Sequence, residues 1–90
     1  MKYMVNVILA LLLACSQAVL ALPEGSVNVN TAQAQVLAEV LDGVGSAKAQ
    51  AIIEYREQYG EFKSVEELLD VRGIGPRVLE ANREKIALSD

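Results

Sequence analysis

The stretch Leu41-Asp42-Gly43-Val44-Gly45-Ser46-Ala47-Lys48-Ala49 decides how this chain folds, because it returns thirty positions later as Val71-Arg72-Gly73-Ile74-Gly75-Pro76-Arg77-Val78-Leu79. Each copy is a glycine, a β-branched apolar residue and a second glycine, with an apolar-patterned run before and after it. Glycine tolerates positive φ and the close approach of another backbone, so Gly43 and Gly73 are placed to end a helix. Gly45 and Gly75 then open the next helix without a capping side chain, which leaves its first N–H groups bare. A helix start of that kind attracts anions. Two of them in one small chain point to a surface that grips phosphates.

Outward from this repeat, residues 31–41 read as a first helix. Asn30 stands at its N-cap, Gln33 three positions on gives capping-box spacing, and Val36, Leu37, Val40 and Leu41 form an apolar stripe. A second helix is expected from Ser46 to about Tyr59, with Ala47, Ala51, Ile52 and Tyr55 on one face and Glu54, Glu57 and Gln58 on the other. Gly60-Glu61-Phe62-Lys63 is a turn, and Phe62, the only phenylalanine, reads as a core plug. Ser64-Val65-Glu66-Glu67 is a capping box that predicts a short third helix to Asp70, with Leu68, Leu69 and Val71 inward. Pro76 suits the first turn of a fourth helix. That helix is expected to reach about Ile86, with Val78, Leu79 and Ile86 inward, leaving residues 88–90 as a tail. The expectation is an all-α fold of four short helices in two pairs. Neither pair can bury its apolar face alone, so the two copies must pack together about a pseudo-twofold axis. Val44 and Ile74 are expected to point inward and pin the hairpins.

Ninety residues allow one domain, and the first 21 stand apart from it. Lys2 is the only charged residue before Glu24, and residues 3–23 are dominated by Leu, Val, Ile and Ala. A basic start, an apolar core and the exit Val19-Leu20-Ala21 read as a signal peptide at 1–21, cleaved after Ala21. The same segment admits two other fates. One is lipid attachment at Cys15 within Leu12-Leu13-Ala14-Cys15, where Leu13 fits the pattern poorly. The other is an uncleaved anchor, since the run approaches the roughly 20 residues that span a bilayer. An extended lead-in is expected at 22–29 and the domain at 30–88.

Residues 22–90 hold no cysteine and no histidine. Disulfides, a zinc site and a Cys/His catalytic pair are thereby excluded, and the commonest general base is missing. The acids do not cluster as a metal site, no nucleophile–base pair stands out, and no cofactor motif occurs, so the reading is non-enzymatic. Without Lys2, seven basic residues face all twelve acidic ones, a net charge of −5. That balance opposes the usual footprint of a nucleic-acid binder, unless the charges are segregated. Lys48, Arg72 and Arg77 do lie beside the glycine motifs, while Glu54, Glu57, Glu61, Glu66 and Glu67 fall away from them. Arg56, Lys63, Arg83 and Lys85 read as solubilising charges. Position for position, Asp42 matches Arg72, Ala47 matches Arg77 and Lys48 matches Val78. The second hairpin is therefore expected to grip harder.

Val27-Asn28-Val29-Asn30-Thr31-Ala32, Gly43-Val44-Gly45, Ala51-Ile52-Ile53-Glu54-Tyr55-Arg56, Gly60-Glu61-Phe62-Lys63-Ser64 and Gly73-Ile74-Gly75 together resemble the ComEA competence proteins. These are tandem helix-hairpin-helix DNA-binding proteins, and the resemblance covers residues 27–86. It implies that Gly43, Val44, Gly45, Gly73, Ile74 and Gly75 offer backbone N–H groups to phosphates across the minor groove of double-stranded DNA, with Lys48, Arg72 and Arg77 alongside. Such contacts carry no base information. The resemblance also implies a place in the periplasm, where the protein would hold incoming DNA during natural transformation beside other DNA-uptake proteins. No stable membrane insertion of the mature chain is expected. Members with an anchor carry a long linker that this sequence lacks, so it looks like the short soluble form. The alternative is a helix-hairpin-helix scaffold that has lost DNA binding, which the acidic balance keeps open.

Overall fold

The sequence repeat reappears as a repeat of burial in the structure, a computed structural model that describes residues 25–90. Leu41 and Val71, Val44 and Ile74, and Ala49 and Leu79 are buried as pairs thirty positions apart. The fourth pair, Ile52 and Asn82, is equally buried at 1 % exposure but differs in chemistry. The backbone repeats as well. The N–H of Val44 donates to the Leu41 carbonyl and that of Ile74 to the Val71 carbonyl; Ala49 donates to Gly45 at 2.9 Å and Leu79 to Gly75 at 3.0 Å. Val27, Val29, Leu37, Phe62 and Leu68 complete the core.

The chain runs β1 (Val27–Asn28), α1 (Ala34–Val40), α2 (Ser46–Tyr59), a 3₁₀ helix (Val65–Asp70), α3 (Pro76–Asn82), a 3₁₀ turn (Arg83–Lys85) and β2 (Ile86–Ala87). The expected signal peptide, with Cys15, and the first residues of the lead-in lie outside the described residues. Among the described residues no helix is long and apolar enough to cross a membrane.

Four helical segments form in the expected order, but the first is shorter than residues 31–41 and the last ends before Ile86, and one element is added to the all-α reading. β1 and β2 form a short parallel ladder in which Val27 faces Ile86 and Asn28 faces Ala87. The Val29 N–H extends it by donating to the Ala87 carbonyl at 3.0 Å. Ile86 is thus a strand residue, and the last helix stops at Asn82. Two-residue strands are too short to show an alternating pattern, and the paired residues lie 59 positions apart, so nothing local announces the sheet.

Asn30 is the second correction. It does not cap α1, which begins at Ala34 behind Gln33. Its side chain instead joins three parts of the chain. Its Nδ2 donates to the carbonyls of Phe62 (3.1 Å) and Leu88 (2.9 Å), and its Oδ1 accepts the Phe62 N–H at 2.6 Å. Asn30→Ala is expected to destabilise the protein by about 2 kcal/mol, since each lost bond is worth roughly 1 and water replaces part of the set. The check is a urea midpoint that falls while the denaturant slope stays constant.

Three side-chain orientations also differ, the first being that of Val36, which belongs to the expected apolar stripe but is exposed. Leu69, expected inside, is exposed, because Val65–Asp70 is a 3₁₀ helix. Three residues per turn put Val65, Leu68 and Val71 on one side and turn Leu69 outward. On α2 the buried residues are Ala49 and Ile52, and Ala47 is exposed. Phe62 is the expected plug, and its ring stacks on Tyr55 with centroids 5.1 Å apart. The capping box at Ser64 also forms. Ser64 Oγ accepts the Glu67 N–H, while the Glu67 carboxylate reaches one residue further back, to the Lys63 N–H.

Candidate nucleic-acid interface

Gly43 and Gly73 have φ of +76° and +94°, the left-handed conformation that turns each helix end sharply back. Two residues later the backbone is extended at Gly45 and Gly75, which are the N-caps of α2 and α3 and carry no capping hydrogen bond. The first-turn N–H groups of these helices have no intrahelical acceptor. The first hairpin therefore presents the N–H groups of Ser46, Ala47 and Lys48. The second presents those of Arg77 and Val78, because Pro76 has none.

The two hairpins lie side by side. A Cβ built on Gly43 would meet Val78 Cγ2 at 3.7 Å, and one on Gly73 would meet Lys48 Cγ at 3.1 Å. A shift of thirty positions converts one contact into the other, so they are two copies of a single pseudo-twofold contact. Val44 and Ile74 are buried at the centre of the hairpins, as expected. Their N–H groups, expected to face phosphate, instead donate to the Leu41 and Val71 carbonyls and close the turns.

The charges are only partly sorted, since Glu54 lines one groove with Arg72 and Asp42 directly precedes Gly43. Lys48 lays its methylenes along Gly73, and its Nζ donates to the Gly43 carbonyl at 3.2 Å. Arg72 and Arg77 are exposed and make no ion pair among the described residues. Glu54, Glu57 and Glu61 are exposed towards and beyond the far end of α2 from Gly45.

Three basic residues read as merely solubilising have partners. Arg56 donates to the Val29 carbonyl at 2.9 Å, Arg83 pairs with Glu66 and Glu80, and Lys85 pairs with Asp42 at 2.8 Å. The Arg83 hydrogen bond holds the Glu66 carboxyl below its ordinary range. What this exposed contact adds to stability is present above the usual carboxylate pKa and is lost as pH falls through the folded value. The pairing of Asp42 with Lys85 places a cation beside the first hairpin's acid, so the two hairpins differ less in charge than their sequences suggest.

One residue of the site escaped the sequence reading. Asn82, buried at the end of α3, brackets the first hairpin. Its Oδ1 accepts the Asp42 N–H at 2.7 Å, and its Nδ2 donates to the carbonyls of Asp42 (2.8 Å) and Val78 (2.9 Å). The available signal was a lone asparagine in the repeat slot that Ile52 fills in the first copy. Among the described residues no group of carboxylates could hold a metal ion.

The model of the helix-hairpin-helix motif matches residues 23–87. An uncharacterized protein of Haemophilus influenzae is 49 % identical over 59 residues, covering 66 % of this chain and 53 % of that protein. ComE operon protein 1 of Bacillus subtilis is 42 % identical over 62 residues, 69 % of this chain and 30 % of its own length. The human endonuclease/exonuclease/phosphatase family domain-containing protein 1 is 40 % identical over 76 residues, but these are only 13 % of that protein. The chain thus spans about half of the first relative and under a third of the second.

Proposed function

The chain belongs to the helix-hairpin-helix family, and from that premise we propose that it binds double-stranded DNA through the phosphate backbone, without regard to base sequence. The observation that carries this reading is the pair of uncapped helix starts at Gly45 and Gly75, set side by side and flanked by Lys48, Arg72 and Arg77. Backbone N–H groups at a helix start bind phosphate oxygens, and contacts of this kind position a duplex without reading it. The minor-groove geometry, a role in DNA uptake during natural transformation and partners in the uptake machinery follow from the likeness to the ComEA competence proteins. A periplasmic location rests on the apolar leader at 1–21. The protein acts by binding and carries out no reaction.

A gel shift of the full chain with two unrelated linear duplexes across a salt series tests this. Equal affinity for both is expected, falling linearly in log–log salt as counterions are released. Arg72→Ala and Arg77→Ala should each reduce that slope by about 1. Arg77→Ala should weaken binding more than Lys48→Ala, because the Lys48 ammonium is already engaged by the Gly43 carbonyl. The net charge of −5 on residues 22–90 favours one other reading, a scaffold that holds a protein partner. No shift at low salt would select it.

A further inference from the structure

Beside the second hairpin, we propose a subsite for an unpaired nucleobase, so that the protein prefers DNA ends with a single-stranded overhang to blunt ones. The proposal rests on the duplex-binding reading and adds a second element of the same ligand. A groove of about 350 Å³ runs along the second half of α2 and is closed on its other side by Val71 and Arg72.

Its aromatic wall is built from the core outward. Phe62 is buried, Tyr55 stacks on it, and Tyr59 leans on Tyr55 with centroids 4.6 Å apart. The Tyr55 hydroxyl is held by Glu67 at 3.3 Å and Asp70 at 3.4 Å, which fixes the middle ring. The outermost ring, Tyr59, is 64 % exposed. A base laid on it would join an aromatic cluster already anchored in the core, and every base has a face suited to such stacking.

Arg72 gives the groove its direction. It lines the groove and directly precedes Gly73, so the groove adjoins the second hairpin. A phosphate held at the hairpin and a base in the groove would then come from neighbouring nucleotides of one strand. Glu54 and Gln58, four residues apart on α2, line the same groove. They offer acceptors and donors to the edge of a base, and the Glu54 charge keeps phosphate at the Arg72 end.

The test compares three versions of one duplex with the full chain, by fluorescence anisotropy at fixed salt: blunt, carrying a short thymine overhang, and carrying the same overhang without bases. About tenfold tighter binding of the thymine overhang is expected, as one stacked base supplies. The abasic overhang and the Tyr59→Ala variant should return to the blunt affinity, and Tyr59→Phe should keep the preference. With no tryptophan in the chain, quenching of tyrosine emission by the overhang, lost in Tyr59→Ala, reports the stack directly. Equal affinity for blunt and overhanging ends, or a preference that persists without bases, overturns the subsite and leaves duplex binding standing. Failure to bind any of the three overturns both.

Discussion

Aspartate in place of Gly45 or Gly75 is expected to leave the fold intact while lowering duplex affinity by roughly 30- to 100-fold, about 2–3 kcal/mol. Neither glycine is required by its backbone. Both have negative φ, and a Cβ at either position would meet nothing within 4 Å. Aspartate is a better N-cap than glycine by a few tenths of a kcal/mol, so the melting temperature should hold or rise slightly. The cap works by accepting the N–H groups of the first helical turn, and these are the groups proposed to bind phosphate. The carboxylate would consume donors whose charge-assisted bonds are worth about 1.5–3 kcal/mol each, and would add a negative charge where the phosphate sits. Gly43→Ala and Gly73→Ala should behave in the opposite way. Positive φ penalises any side chain there by about 1 kcal/mol, and at Gly73 the Lys48 chain must also give way. Thermal melts and anisotropy titrations on the four variants separate the two roles. A Gly45→Asp protein that melts and binds like its parent would remove that helix start from the interface.

The same division explains what the sequence could disclose. The positive φ needed at Gly43, Gly60 and Gly73 is a backbone requirement that no partner segment alters, so both hairpins and the bounds of α2 could be read directly, while the Ser64 capping box announced the short helix at Val65–Asp70. Leu69 could not, since an apolar pattern does not distinguish 3.6 from three residues per turn over six residues. Asn30 could not either. Its spacing to Gln33 suits a cap, but Phe62 and Leu88 outcompete the helix for its side chain. Those partners are 32 and 58 positions away, and nothing near Asn30 announces them. The charges fall between these cases. Lys48, Arg72 and Arg77 could be placed beside the hairpins from sequence, whereas the pairing of Asp42 with Lys85 needed the fold.

Asn82→Ile should destabilise the protein more than any of the glycine substitutions, by about 3 kcal/mol, although it restores the symmetry of the repeat. Isoleucine is what the first copy carries at Ile52, and the two sites are equally buried. Their surroundings differ in polarity. Asn82 satisfies both the N–H and the carbonyl of Asp42, together with the Val78 carbonyl. An apolar replacement takes away this partner in a part-buried setting, at roughly 1–3 kcal/mol for each group left unpaired. At 4–8 °C per kcal/mol for a domain of this size, the melting temperature should fall by more than about 10 °C. Asn82→Asp should be worse, because a carboxylate keeps the Asp42 N–H but sets a buried charge against two carbonyls. The loss should also show in function. With Asp42 released, the chain entering Gly43 is less fixed, and below the melting transition Asn82→Ile should bind duplex DNA more weakly while keeping its salt slope, since no cation has been removed. An Asn82→Ile protein that melts higher than the parent would mean that the apolar contacts outweigh the bracket. Hairpin one would then be held by Val44 and the Gly43 turn alone.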